Sequence, residues 1–399
     1  MLICEKPPVH LTYCLSVHPG ETWEENFEAI KTIALEIRDR VTPDRPFSLG
    51  LRLGHTAADS LSSPSELGRF RTFLEEHNLY VYSINGFPYG TFHNARVKEN
   101  VYQPDWRASE RLSYTLKLAD ILAELLPPGI SGSISTAPGS YKGWIKTDAD
   151  RTHMIRNLMA CVAHLSKIEE RTGKEIHVGL EPEPDCYLET TEEAVAFFKQ
   201  DLAGEGKRQL VRLTGRTEPA AEEMIYRHLG ICFDTCHMSL QFEDLSESLS
   251  TFTEQGIRIS NVQLSAAIRM TSTERSLERL SEFCDPVYLH QVKIRDEANR
   301  KEIVSFKDLP DALEKSAVAQ REGMQWRVHF HVPLYFEGDQ ELYSTSSDLT
   351  PDFFSRLRES GCEHLEIETY TFNVLPEYLK SKGLVRSVSD EYAWVLEQI

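Results

Sequence analysis

The stretch that carries most chemical promise is HLGICFDTCHM, His228 to Met238. Leu229, Ile231, Cys232 and Phe233 are apolar and β-prone, as in a strand buried on both faces. The run stops at Asp234, and His237 follows three residues later. A carboxylate at a strand's C-terminal end and an imidazole on the next turn can point into one pocket. Four other predicted strands end in the same way. EIHVGLEPEP delivers Glu181, ISNVQLSAA carries Gln263, WRVHFHVPLY carries His329 and His331, and HLEIETY carries Glu368. Glu181, Asp234, Gln263 and Glu368 are hard oxygen donors suited to Mg²⁺ or Mn²⁺. His237 and His331 would shift the site toward Zn²⁺ or iron. The bland alternatives are an ordinary Asp turn at Asp234, an acidic loop at Glu183 and Asp185, and a polar barrel cap at Gln263. Of His329 and His331, only His331 is expected in the pocket. The serial order of donors, rather than any one of them, points to a single divalent cation at the C-terminal mouth of a barrel.

Positioning those side chains requires alternating strands and helices. Val9 to Leu15, Phe47 to Leu53, Tyr80 to Asn85 and Ser131 to Thr136 read as strands one to four. Glu175 to Glu181 is strand five, and the segment ending at Asp234 is strand six. Asn261 to Ser265 and His364 to Thr369 are strands seven and eight. Between them, Thr22 with Glu25 and Thr190 with Glu193 have capping-box spacing. Ser63, Pro64 and Glu66 start another helix, and Asp148 to Thr172 is long and amphipathic. Lys207 to Arg216 reads as an exposed basic insertion. Such alternation predicts an α/β chain of the (β/α)₈ TIM-barrel class with long loop insertions.

The 399 residues suffice for one decorated barrel domain spanning 1–399, with an insertion at about 266–340 between strands seven and eight. That insertion is expected to hold two extra strands, Val287 to Ile294 and Trp326 to Pro333. The loop from Phe87 to Trp106 is long, aromatic and rich in Gly and Pro, and is expected to form a mobile pocket wall. A net charge of -19 argues against nucleic acid and anionic membrane surfaces as partners. No run reaches the roughly 18 apolar residues of a membrane span, and no signal peptide is visible. Eight cysteines without CxxC pairing suggest a reduced, cytoplasmic setting, with Cys232 and Cys236 as packing residues.

The order of Glu181, FDTCH, a polar residue in strand seven and EIET resembles the xylose isomerase-like barrel superfamily. The resemblance implies one divalent ion, Mn²⁺, Mg²⁺ or Zn²⁺, held by Glu181, Asp234, Gln263 and Glu368. It also implies that Glu181 and Glu368 are the acid/base pair and that His237 and Arg269 hold substrate oxygens, with His331 placed beside them. The superfamily's strand-seven ligand is usually His, so Gln263 departs from the pattern. More narrowly, HLTYCLSVHPGETW, INGFPYGTFH, VKENVYQPDW, SISTAPGSYKGW and GLEPEPDCYLETTEE resemble the EboE-type metabolite traffic proteins. This implies bacterial secondary metabolism and a small sugar- or cyclitol-like substrate. Three functions compete: a metal-dependent isomerase or epimerase, a non-catalytic metabolite carrier with the same pocket, and an endonuclease IV-like phosphodiesterase. The acidic charge disfavours the last.

Overall fold

The computed structural model describes residues 1–93, 97–296, 302–315 and 322–399. Eight strands form its centre: β1 (Pro8–Tyr13), β2 (Phe47–Arg52), β3 (Leu79–Asn85), β4 (Gly132–Thr136), β5 (Ile176–Leu180), β6 (Leu229–Asp234), β7 (Ile259–Leu264) and β8 (His364–Ile367). Consecutive strands from β2 to β8 pair in parallel, and β8 pairs in parallel with β1. A parallel bridge between Cys14 and Gly50 joins the β1 and β2 ends and closes the ring. The chain is therefore a (β/α)₈ barrel, and an antiparallel strand, Leu2–Glu5, lies outside β1.

The helices begin where the sequence places their caps. Thr22 and Glu25 make a reciprocal capping box, Ser63 caps the helix that opens on Pro64, and Thr190 accepts from the Glu193 amide. The helix Asp148–Thr172 has the predicted bounds, with Thr147 and Asp150 as its capping box and Gly173 at φ 70° as its stop. One expectation fails. Lys207 to Arg216 is not a surface excursion: Lys207–Thr214 is a helix that continues the π-helical Phe197–Gly206. Its basic residues face outward while Gln209 and Leu210 are buried, and it packs against Asp148–Thr172. Charge density there hid an amphipathic pattern.

The barrel interior is unusually polar. Branched apolar side chains fill most such barrels. Here Ser83 on β3 donates to Glu366 on β8 at 2.9 Å through the barrel interior, and Ser133 lies 3.4 Å from Ser83. Gly50 makes room for Glu366: a Cβ there would stand 2.7 Å from the Tyr13 carbonyl and 2.8 Å from Glu366 Oε1.

Between β7 and β8 the chain builds a separate antiparallel sheet of five strands. Their order is Ile303–Phe306, Val292–Arg295, Gln325–Val328, Ile268–Thr271 and Tyr343–Ser344. The sequence suggested two strands in this insertion. The observed pieces are two to four residues long, too short to show an alternation. The second predicted strand also ends early: the sheet stops at Val328, and His329 to Pro333 run on as irregular chain toward the barrel mouth. Parts of the insertion, 297–301 and 316–321, and positions 94–96 of the Phe87 to Trp106 loop lie outside the described residues.

Candidate metal centre

Three barrel strands bring carboxylates to one point. Asp234 is the last residue of β6, while Glu181 and Glu368 directly follow β5 and β8. Their backbones extend the ladders, Glu181 N–H donating to Thr136 and Glu368 N–H to Leu264. Ligand oxygens of Glu181, Asp234 and Glu368 lie within 4.8 Å of one another. Each side chain spends one oxygen on the protein or leaves one free in a telling way. Asp234 Oδ1 accepts from the amides of Cys236 and His237 and from Ser265 Oγ, at 2.8, 3.2 and 2.6 Å. Glu368 Oε1 accepts from Asn85 Nδ2 at 3.1 Å. Glu181 Oε2, Asp234 Oδ2 and Glu368 Oε2 are buried without a hydrogen-bond partner. A buried carboxylate oxygen left bare is costly unless a cation or proton meets it.

The electrostatics say the same. Burial pushes Glu181 well above the usual carboxylate range, and the negative charges of Glu368, Asp234 and Glu183 push it further. Glu368 is raised by burial first, then by Glu366 and Asp234. Glu183 is pushed up to about 8, chiefly by burial. Like charges crowded out of water are a standing demand for a cation, which the donor set and the bare oxygens fit.

Histidines form the other side. His237, His329 and His331 are all nearly fully buried and line the same cavity as Glu181, Glu183 and Glu368. Expecting only His331 there misapplied the two-residue repeat, because residues two apart on an extended chain share a side. His331 Nδ1 faces the Glu368 carbonyl at 2.7 Å, so it carries the hydrogen. Its bare Nε2 stands 3.9 Å from Asp234 Oδ2. Burial keeps His237 and His331 toward their neutral forms.

Two expected residues are placed differently. Arg269 sits in the antiparallel sheet, paired with Arg327, and lines a separate groove with Met270 and Tyr343. The strand Ile268–Thr271 carries it into that sheet, and it does not line this cavity. Gln263 is level with Asp234 on the neighbouring strand and completely buried. Its Oε1 accepts from Cys232 Sγ at 3.1 Å, and the atom left free is Nε2. An amide nitrogen is no cation ligand, so Gln263 fits only if its terminal amide turns over. Cys236 packs with Leu240 and Ala267, yet its Sγ also lies within 4.8 Å of ring nitrogens of His329 and His331.

Sequence reasoning missed Asn85, Glu183 and His329. Asn85 ends β3, a position the strand pattern marked but chemistry alone did not single out. Glu183 follows Glu181 by two residues and could have been paired with it by the same spacing as His329 and His331. Above the polar floor, Phe87, Phe92, Tyr102, Tyr288 and Tyr370 form an aromatic rim. The remaining space is about 60 Å³. Trp106, at the end of the predicted wall, belongs instead to the main apolar core.

No protein-family model matches the chain, and no curated protein sequence matches it. Among solved structures it is similar to the probable 3-DHS dehydratase AsbF of Bacillus anthracis, at 14% identity over 97% of this chain and 98% of that one, with a TM-score of 0.46. It is similar to a D-tagatose 3-epimerase-like protein at 12% identity, over 97% and 98% of the two chains, with a TM-score of 0.45. A xylose isomerase domain protein of Salmonella typhimurium gives 13% identity over 100% and 98%, with a TM-score of 0.40. These neighbours are xylose isomerase-like barrels. At such identities and scores they lend no weight to any reaction, and the architecture rests on the strand order itself.

Proposed function

We propose that the chain is a divalent-metal-dependent isomerase or epimerase acting on a small sugar- or cyclitol-like carbonyl compound. The observation that carries this is the convergence of Glu181, Asp234 and Glu368, each with an unpartnered buried oxygen. Those three residues would hold the ion, with Gln263 as a fourth ligand if its amide turns. When bound, the ion would polarise a substrate carbonyl and its neighbouring hydroxyl. Glu181 and Glu368 would do the proton work: one removes the proton on the carbon beside the carbonyl and the other returns it. Asn85 fixes the orientation of the Glu368 carboxylate through Oε1 and leaves Oε2 bare toward the cavity. The bare Nε2 of His331 would accept a hydrogen bond from a substrate hydroxyl. The resemblance to EboE-type proteins supports a place in bacterial secondary metabolism.

The test is exchange of a substrate C–H with solvent. Full-length, metal-loaded protein is incubated in D₂O with a panel of ketoses and cyclitol ketones and followed by NMR. Deuterium should enter at the carbon beside the carbonyl. Glu368→Gln should retain metal and lose exchange by roughly 10² to 10⁴. Full-rate exchange in both Glu181→Gln and Glu368→Gln would overturn the acid/base pair. A metal-filled protein that exchanges none of the panel would favour the carrier reading.

A further inference from the structure

At the opposite end of the barrel, where the strands begin, lies a cleft of about 740 Å³. Its walls are the segments that lead into β4, β5, β7 and β8. The cavity at the mouth measures about 60 Å³. Of the two, the lower cleft has the size of a pocket for an organic molecule, roughly 300–1,000 Å³. His177, Ser260 and His364 line it and are only 1–3% exposed. His177 Nδ1, Ser260 Oγ and His364 Nδ1 are buried without a hydrogen-bond partner. Three bare polar atoms around one cavity are costly unless something in the cavity meets them.

The lining fixes the chemistry of that occupant. Ser131 Oγ donates to Glu363 Oε2 at 2.9 Å, so it accepts from His364 Nε2, 3.2 Å away. His364 therefore carries its hydrogen on Nε2 and presents a lone pair at Nδ1. The His177 and His364 rings stack with centroids 5.4 Å apart. Burial first, with neighbouring imidazoles and Arg258 adding to it, holds both rings in the neutral form, His364 down at about 3. The charged groups of the lining cancel, Lys174 and Arg258 against Glu175 and Glu363. Arg258 and Arg227 take the two Glu175 oxygens at 2.5 and 2.7 Å, and Lys174 Nζ donates to the Ala123 carbonyl. The cations are thus committed, and Glu363 stands beside the bare imidazoles, so an anion is disfavoured. Hydroxyl groups suit the rest, because each can donate to an imidazole lone pair and accept from a serine. We propose that this cleft binds an uncharged polyhydroxyl molecule of mono- to disaccharide size, with its hydroxyls on His177, Ser260 and His364. The site is separate from the metal centre and does not rest on the reading above.

The experiment is amide hydrogen exchange of the full chain, read by mass spectrometry, with trehalose, myo-inositol or inorganic phosphate added. Neither polyol carries a carbonyl for the chemistry proposed at the mouth. At least one of them should protect segments 128–131, 172–177, 258–260 and 360–364, with or without a chelator present. Ser260→Ala should raise the polyol concentration needed by roughly 3- to 10-fold, the worth of one hydrogen bond, without lowering the urea midpoint of the free protein. Thr172→Trp, at an exposed position on the rim, should fill the entrance and abolish protection. Circular dichroism confirms that each variant is folded, and Ser260→Ala serves if Thr172→Trp is not. Protection by phosphate alone would overturn the polyhydroxyl assignment. Protection confined to the mouth, lost on chelation, or unchanged in both variants would overturn the site. No protection by either polyol would overturn it too, and would leave solvent as what meets the three bare atoms.

Discussion

At the scale of single residues, the centre is a set of groups each denied something. Asp234, Glu181, Glu183 and Glu368 each lack a partner for one oxygen, and His331 for one nitrogen. Such a set should respond to pH when no cation is present. Glu183 is pushed up to about 8 in the folded chain, against an ordinary 4.5. A carboxyl raised on folding contributes its full stability below the unfolded value and loses it as pH climbs through the folded one. The buried histidines are lowered on folding, so their contribution is complete above the ordinary 6.5 and is lost as pH falls below it. Between about pH 6.5 and 8 the raised carboxyls of the centre, Glu181, Glu183 and Glu368, outweigh the opposing effect of the buried Met1 ammonium, which burial holds well below its ordinary 8.0. Chelated protein should therefore melt at progressively lower temperature across that window, each pH unit being worth at most about 1.4 kcal/mol from each carboxyl. Added Zn²⁺ should abolish the trend. A flat melting profile for the chelated protein would mean that these acids are relieved in some other way.

At the scale of elements, polar and small residues on the strands decide what the barrel can hold. Gly50 is the clearest case, because β2 must yield space to Glu366, which reaches in from β8 past β1. Gly50→Ala should destabilise the fold by about 1–3 kcal/mol, through overpacking against the Tyr13 carbonyl and Glu366. Urea unfolding would measure it, and an unchanged midpoint would show that the wall gives way freely. Elements with a long period or a cap were readable from the sequence: Asp148–Thr172 and the strand ending at Asp234 are examples. So was the convergence of Glu181, Asp234 and Glu368, since parallel strands deliver their ends to one rim. The insertion was not readable. Strands of four residues or fewer carry too few alternations, and nothing local in Ile268–Thr271 says that Arg269 leaves the mouth. His329 was missed because its role depends on Gln291 and Tyr102, which are distant in sequence and adjacent only in the fold.

At the scale of the whole molecule, barrel and insertion share one centre: the barrel supplies the oxygens and His237, and the segment after Val328 supplies the imidazoles of His329 and His331. Net charge of -19 makes the outer field cation-attracting, which suits delivery of metal to that mouth. Among the described residues no helix is long and apolar enough to cross a membrane. The aromatic rim adds a consequence in time rather than in space. The cavity under Phe87, Phe92, Tyr288 and Tyr370 measures about 60 Å³. Pockets for organic ligands run to roughly 300 Å³ and more. A space of that volume holds an ion, but a ring-sized molecule fits only once the rim has parted. Loading is then ordered, cation before organic ligand. In stopped-flow mixing, the observed rate for a ketose or cyclitol should level off with concentration at the frequency of opening. A rate that climbs linearly without limit would show the doorway already open.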